Sequence, residues 1–201
     1  MISAQPGPQT EFLRTPADIA VYGGAAGGGK TVGLILEPLR HVGRVANFTA
    51  VFFRRTMPQI TNPGALWDET LNFYPRLGGT PHLGAREWRW PRGGKIKFSH
   101  QKFETTVYDW QGAQITLICF DELTHFSAHQ FFYMVSRNRS TCGGGLTSAR
   151  PATRTPTPGS PIFFPGGSTR RAGIRSASGP ACCAISSALP RKSCGPIDPK
   201  N

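Results

Sequence analysis

An α/β fold built on a mainly parallel sheet is predicted by three observations in these 201 residues. An apolar run leads into a glycine-rich loop and a helix, a second apolar run ends in two carboxylates, and short apolar runs alternate with turn signals between them. The first run is Ile19-Ala20-Val21-Tyr22, read as a strand. Gly23-Gly24-Ala25-Ala26-Gly27-Gly28-Gly29-Lys30-Thr31 follows and fits the phosphate-loop pattern G-x-x-x-x-G-K-[ST], with Gly24 and Gly29 as its fixed glycines. Thr31 through Leu39 supplies the helix that the pattern requires after the loop. Backbone N–H groups of Gly24, Ala25, Ala26, Gly27, Gly28 and Gly29 would converge on phosphate oxygens. Lys30 would reach the β and γ oxygens and the Thr31 hydroxyl would ligate Mg²⁺.

Phe48-Thr49-Ala50-Val51-Phe52-Phe53 reads as the next strand, and it delivers Arg54-Arg55 to its carboxyl end, where ligands of open α/β sheets bind. Trp88-Arg89-Trp90 and Lys95-Ile96-Lys97-Phe98 alternate with period two around Pro91-Arg92-Gly93-Gly94, which predicts a β-hairpin. Its basic and aromatic alternation suits either a half-buried hairpin or a surface that tracks a nucleic-acid backbone. Ile115-Thr116-Leu117-Ile118-Cys119-Phe120 predicts a buried parallel strand ending in Asp121-Glu122, a Walker B pattern. Asp121 would hold the Mg²⁺ shell, and Glu122 would orient or deprotonate the attacking water. His125 and His129 fall four apart on the helix expected next, but H-E-x-x-H lacks its Glu here, so metal ligation is not expected of them.

Composition bounds the rest. No stretch approaches the ~18 apolar residues of a membrane span, and Met1-Ile2-Ser3-Ala4 has no signal-peptide character, so a cytoplasmic protein is expected. Five cysteines in no C-x-x-C pair argue against both disulfides and zinc. The net charge of +12 is uneven: 15 Lys/Arg face 10 Asp/Glu up to Gly143, whereas the remainder has 8 against Asp198 alone. The expected organisation is therefore an ATPase-type domain over 1–143 and a basic, Pro/Gly/Ser-rich, disordered tail over 144–201.

Five segments in order, Gly23–Thr31, Phe53-Arg54-Arg55-Thr56-Met57-Pro58-Gln59, Gln111-Gly112-Ala113-Gln114, Phe120-Asp121-Glu122-Leu123 and Ser136-Arg137-Asn138-Arg139-Ser140, resemble the ATPase half of tailed-phage terminase large subunits, over about residues 5–143. The resemblance implies a three-layer P-loop NTPase of the additional-strand, catalytic-glutamate class. It also implies ATP and Mg²⁺ as cofactors, and a motor that threads double-stranded DNA into a procapsid inside the host bacterial cell. Its implied partners are a portal protein, a small terminase subunit and further copies of the chain on the portal. By position, Gln9 and Phe12 resemble the adenine-contacting segment. Arg54, Arg55, Arg137 and Arg139 are candidates for a charge-stabilising arginine. A helicase, which would need a second motor lobe, and a non-catalytic nucleotide- or DNA-binding remnant are the alternatives.

The family's T-C-N-P coupling motif and its acid-rich nuclease domain have no counterpart after Glu122. Combining the third base of each codon with the first two of the next makes Gly145–Ser160 compatible with R-P-Y-V-R-A-T-C-N-P-D-A-D-S-W-V. The tail is thus expected to be out-of-frame translation. The domain should then be truncated, lack a central strand, and be inactive as written.

Overall fold

The computed structural model describes residues 2–15, 17–23 and 27–139, together with the backbone of 181–186. Five helices, α1 (Pro8–Arg14), α2 (Lys30–Val42), α3 (Pro58–Thr61), α4 (Leu66–Leu71) and α5 (Ala128–Val135), accompany seven strands. The strands are β1 (Ile19–Gly23), β2 (Thr49–Arg54), β3 (Thr80–His82), β4 (Glu87–Arg89), β5 (Lys95–His100), β6 (Leu117–Phe120) and β7 (Ala181–Ser186), in the sheet order β1-β7-β6-β2-β5-β4-β3.

Alternation along the strands sorts side chains to two faces. Ala50 and Phe52 of β2, Leu117 and Cys119 of β6, and Ile96 and Phe98 of β5 join one cluster with Leu34, Ile35 and Leu39 of α2 and Trp67 of α4. Val51, Phe53, Ile118 and Phe120 face the other way and pack with Met134 of α5 and Phe126, Phe131 and Trp110. A sheet with apolar residues on both faces needs cover on both, so helices lie above and below its centre. The predicted strands and the helix after the glycine loop are present with shifts of one to three residues at their ends.

The hairpin forms as predicted, with Arg89 opposite Lys95 and Trp88 opposite Ile96. Gly93 N–H donates to the Trp90 carbonyl at 3.0 Å, with Gly93 at φ +77°, which glycine adopts without steric cost. Gly94 fits close under the end of α2: a Cβ there would sit 2.9 Å from the Val42 carbonyl oxygen. Burial of Tyr74 raises its phenol pKa well above the ordinary value.

Two expectations are corrected. The sheet is mixed: β2 pairs in parallel with β5 and β6, whereas β1–β7, β6–β7, β3–β4 and β4–β5 are antiparallel. The tail is not disordered throughout, since Ala181–Ser186 forms β7 between β1 and β6 and fills the central position expected to be missing. Ala181-Cys182-Cys183-Ala184-Ile185-Ser186 opens the tail's longest stretch without proline, glycine or charge, and such a stretch can complete a sheet where its neighbours cannot. The proposed coupling segment at 151–154 lies outside the described residues.

No helix among the described residues is long and apolar enough to cross a membrane.

Candidate nucleotide site

Because β7 is antiparallel to both β1 and β6, those two strands run in the same direction. Val21 and Phe120 both stand opposite Cys183, which fixes their relative register. The glycine loop after β1 and the acids after β6 therefore leave the sheet at one edge, about 10 Å apart at two strand spacings. The two sequence motifs thus lie at the same end of the sheet.

Gly24, Ala25 and Ala26 lie outside the described residues. Gly27 and Gly29 have φ of +79° and +68°, and α2 begins at Lys30 with no side chain capping its first turn. Two buried side chains grip the loop from behind. Tyr22 Oη donates to the Gly28 carbonyl at 2.7 Å, and Gln9 Nε2 donates to the Gly29 carbonyl at 2.9 Å. In a trans peptide the N–H points opposite the C=O, so tying these carbonyls back turns the N–H groups of Gly29 and Lys30 to the other side. The result is a run of donors at a helix N-terminus, the usual setting for an anion. Lys30 is buried and Thr31 half-buried.

Gln9 is in turn held by the Gln5 N–H, at 2.6 Å to its Oε1. A Cβ on Gly29 would lie 3.0 Å from Gln9 Nε2, so the α1 glutamine and the loop glycine are mutually fitted. Phe12, also on α1, is buried and stacks on Tyr22 with ring centroids 5.4 Å apart. It reaches the loop through Tyr22 and offers no exposed face. Tyr22 carries no motif, and only its place as the last apolar residue before the loop hints at its importance.

At the other strand end Asp121 is buried, and its N–H donates to the Phe53 carbonyl at 3.0 Å. Arg54 closes β2 beside it. The Arg54 Nε donates to Asp121 Oδ2 at 2.7 Å, a second guanidinium nitrogen contacts the same oxygen, and a third lies 3.4 Å from Glu122 Oε1. Glu122 has φ +57° and ψ +59°, a left-handed conformation that non-glycine residues adopt at some cost. Its other oxygen meets His125 Nδ1 at 3.2 Å.

The remaining predicted arginines separate by environment. Arg55 donates to the Gln101 carbonyl at 3.1 Å and to Gln130 Oε1 at 2.8 Å, and the buried Gln130 amide also donates to the Gln101 and Phe103 carbonyls. This network ties the end of β2 to the start of α5. Arg137 lies over the Tyr133 ring, and Arg139 is exposed after its N–H bonds the Ile115 carbonyl. Neither is brought to Asp121 by the contacts it makes.

His125 and His129 do not share a helix, contrary to expectation. His125 ends a short 3-10 turn, and α5 starts only after Ser127, whose hydroxyl caps the Gln130 N–H. His129 pairs instead with Glu104 at 3.1 Å. The Glu104 carboxyl is held below its ordinary pKa, first by the Ser127 hydroxyl and then by His129.

Among the described residues no group of three or more His, Cys, Asp or Glu side chains could hold a metal ion by itself. The buried Asp121 carboxylate and the Thr31 hydroxyl at the start of α2 are oxygen donors of the kind Mg²⁺ takes one or two of, the rest of its shell being left to other oxygens.

Residues 21–162 match the model of the family described as terminase large subunit, T4likevirus-type, N-terminal, a span that continues past the compositional break at Gly143. No curated protein and no solved structure shows a significant match.

Proposed function

Since this chain belongs to the T4-like-type terminase large subunit N-terminal family, we propose that it is the ATP-hydrolysing region of a DNA-packaging motor. The observation that carries this reading is the convergence of the glycine loop and Asp121-Glu122 at one sheet edge. A P-loop NTPase fold is the reading of the sheet that this convergence supports. Gly24 through Gly29 would cradle the phosphates, Lys30 would contact the terminal ones, and Thr31 with Asp121 would hold Mg²⁺. The metal's chemical contribution when bound is to neutralise phosphate charge. Glu122 would accept the proton of the water that attacks the γ-phosphorus in line with the departing ADP oxygen. Gln9 and Tyr22 would keep the loop preformed, so that binding orders little that is not already in place.

The DNA substrate, the portal and small-subunit partners, and assembly of several copies on the portal follow from family membership and belong to the same proposal. Exchange of Lys30 to Ala removes a charge-assisted phosphate contact and should weaken ATP–Mg²⁺ binding by about tenfold or more, read by calorimetry. Equal affinity for wild type and variant would remove the assignment.

We further propose that residues after about Gly143 are out-of-frame, because the shifted reading restores T-C-N-P where this family needs a coupling motif; β7 of the chain as written then stands in for the strand that the restored frame would supply between β1 and β6. Deleting one base or adding two near codon 143 should then extend the open frame into a nuclease domain with clustered acids. An early stop codon in that frame, found by resequencing, would refute it. The chain as written should neither cut nor package DNA.

A further inference from the structure

We propose that Arg54 is the resident counter-cation of the Asp121-Glu122 pair, and that the divalent cation arriving with nucleotide must displace it from Asp121. The inference rests on the nucleotide-site reading above and concerns how that site is held before nucleotide enters.

Asp121 is almost fully buried, at 1% exposure. A buried carboxylate without a compensating cation is strongly unfavourable, and Arg54 supplies one by directing two guanidinium nitrogens at Oδ2. Those contacts fall on Oδ2, one of the two oxygens of the carboxylate. A divalent cation held by this carboxylate and a guanidinium held by it would repel each other at short range. The two occupants are therefore alternatives at Asp121.

Its neighbour shows which part can move. Arg55 is fixed by Gln101 and Gln130, so the end of β2 stays in place and displacement is confined to the Arg54 side chain. Arg54 also reaches Glu122 Oε1, whose partner oxygen is held by His125. When Arg54 leaves Asp121 it releases one of the two contacts on Glu122. Cation arrival and freeing of the base thereby become one event, and nucleotide without metal would not trigger it. Arg54 is on this account a positioning residue for both acids. It is distinct from an arginine that stabilises charge on the phosphates.

The test uses the full chain with a bound non-hydrolysable ATP analogue, and follows Mn²⁺ binding by electron paramagnetic resonance. Replacement of Arg54 by Gln should tighten Mn²⁺ binding on the order of tenfold or more by removing the competing charge. Arg54→Lys, which keeps the charge, should stay close to wild type. Adding Asp121→Asn to Arg54→Gln should abolish the gain. Mn²⁺ binding by Arg54→Gln no tighter than wild type overturns the proposal.

A second measurement covers the case in which Arg54→Gln does not fold. In the wild-type chain the Arg54 Nε–H resonance, assigned by its loss in Arg54→Lys, should persist with a non-hydrolysable ATP analogue alone and shift when Mg²⁺ is added. An unchanged resonance in the presence of both overturns the proposal as well. Failure of the nucleotide-site reading itself appears separately, as absence of analogue binding or indifference to Lys30→Ala.

Discussion

Glu122→Gln is expected to lower the single-turnover rate of ATP hydrolysis by about 10²–10⁴-fold, the usual contribution of a positioned base, while nucleotide affinity stays close to wild type. The substitution preserves what surrounds the side chain. An amide can turn its oxygen toward Arg54 and its NH₂ toward His125 Nδ1, the two groups that now contact the carboxylate. Backbone strain at φ +57° is also unchanged, because Gln adopts the left-handed region no more easily than Glu. Only the capacity to accept a proton is lost. The measurement is made on protein with the alternative frame restored, and an unchanged rate would take the base role away from Glu122.

Replacing Trp88 by Ala should cost about 3–5 kcal/mol of stability, the range for truncating a large core aromatic. The Trp88 ring is fully buried, stacks on Trp67 with centroids 5.6 Å apart and meets Tyr74 edge-on at 5.4 Å. Its Nε1 donates to Thr70 Oγ1 at 3.0 Å, so truncation also leaves a buried hydroxyl without that donor. Leu83→Ala, at a residue 60% exposed in the preceding loop, should change stability by less than about 0.5 kcal/mol. Urea unfolding of the two variants side by side checks both. Similar midpoints would mean that the β4–β5 hairpin is not part of the cooperative core.

Where local pattern carried the information, the fold was legible in the sequence. The run before the glycine loop, the Thr49–Arg54 strand, the hairpin and the strand into Asp121-Glu122 each declare themselves by periodicity, since both faces of the sheet must be covered. The start of α5 is legible too: Ser127 and Gln130 form a capping box, and that signal separates His125 from His129. Other features have no local signature. Nothing near Tyr22 or Gln9 states that their polar ends meet the Gly28 and Gly29 carbonyls, because those contacts depend on how α1 folds back over the loop. The Arg55–Gln130 bond joins residues 75 apart, and the pairing of Arg54 with Asp121 spans 67. The family resemblance offers four arginines as candidates for a charge-stabilising role. Only the packing of β2 against β6 distinguishes Arg54 from the others.

Strand β7 bears on the order in which the molecule can be put together. β1 and β6 share no hydrogen bond; each is joined to β7, which begins about sixty residues beyond the end of β6. During synthesis, β2, β5 and β6 are available to pair long before β7 emerges, whereas closing the gap beside β1 pairs strands about 160 residues apart in the chain. Until it closes, β1 and β6 present bare strand edges to each other, each able to accept a foreign strand. The distance between the glycine loop and the acids is thus set by the last strand of the sheet to be synthesised, and a chain interrupted before Ala181 would carry both motifs without the strand that spaces them.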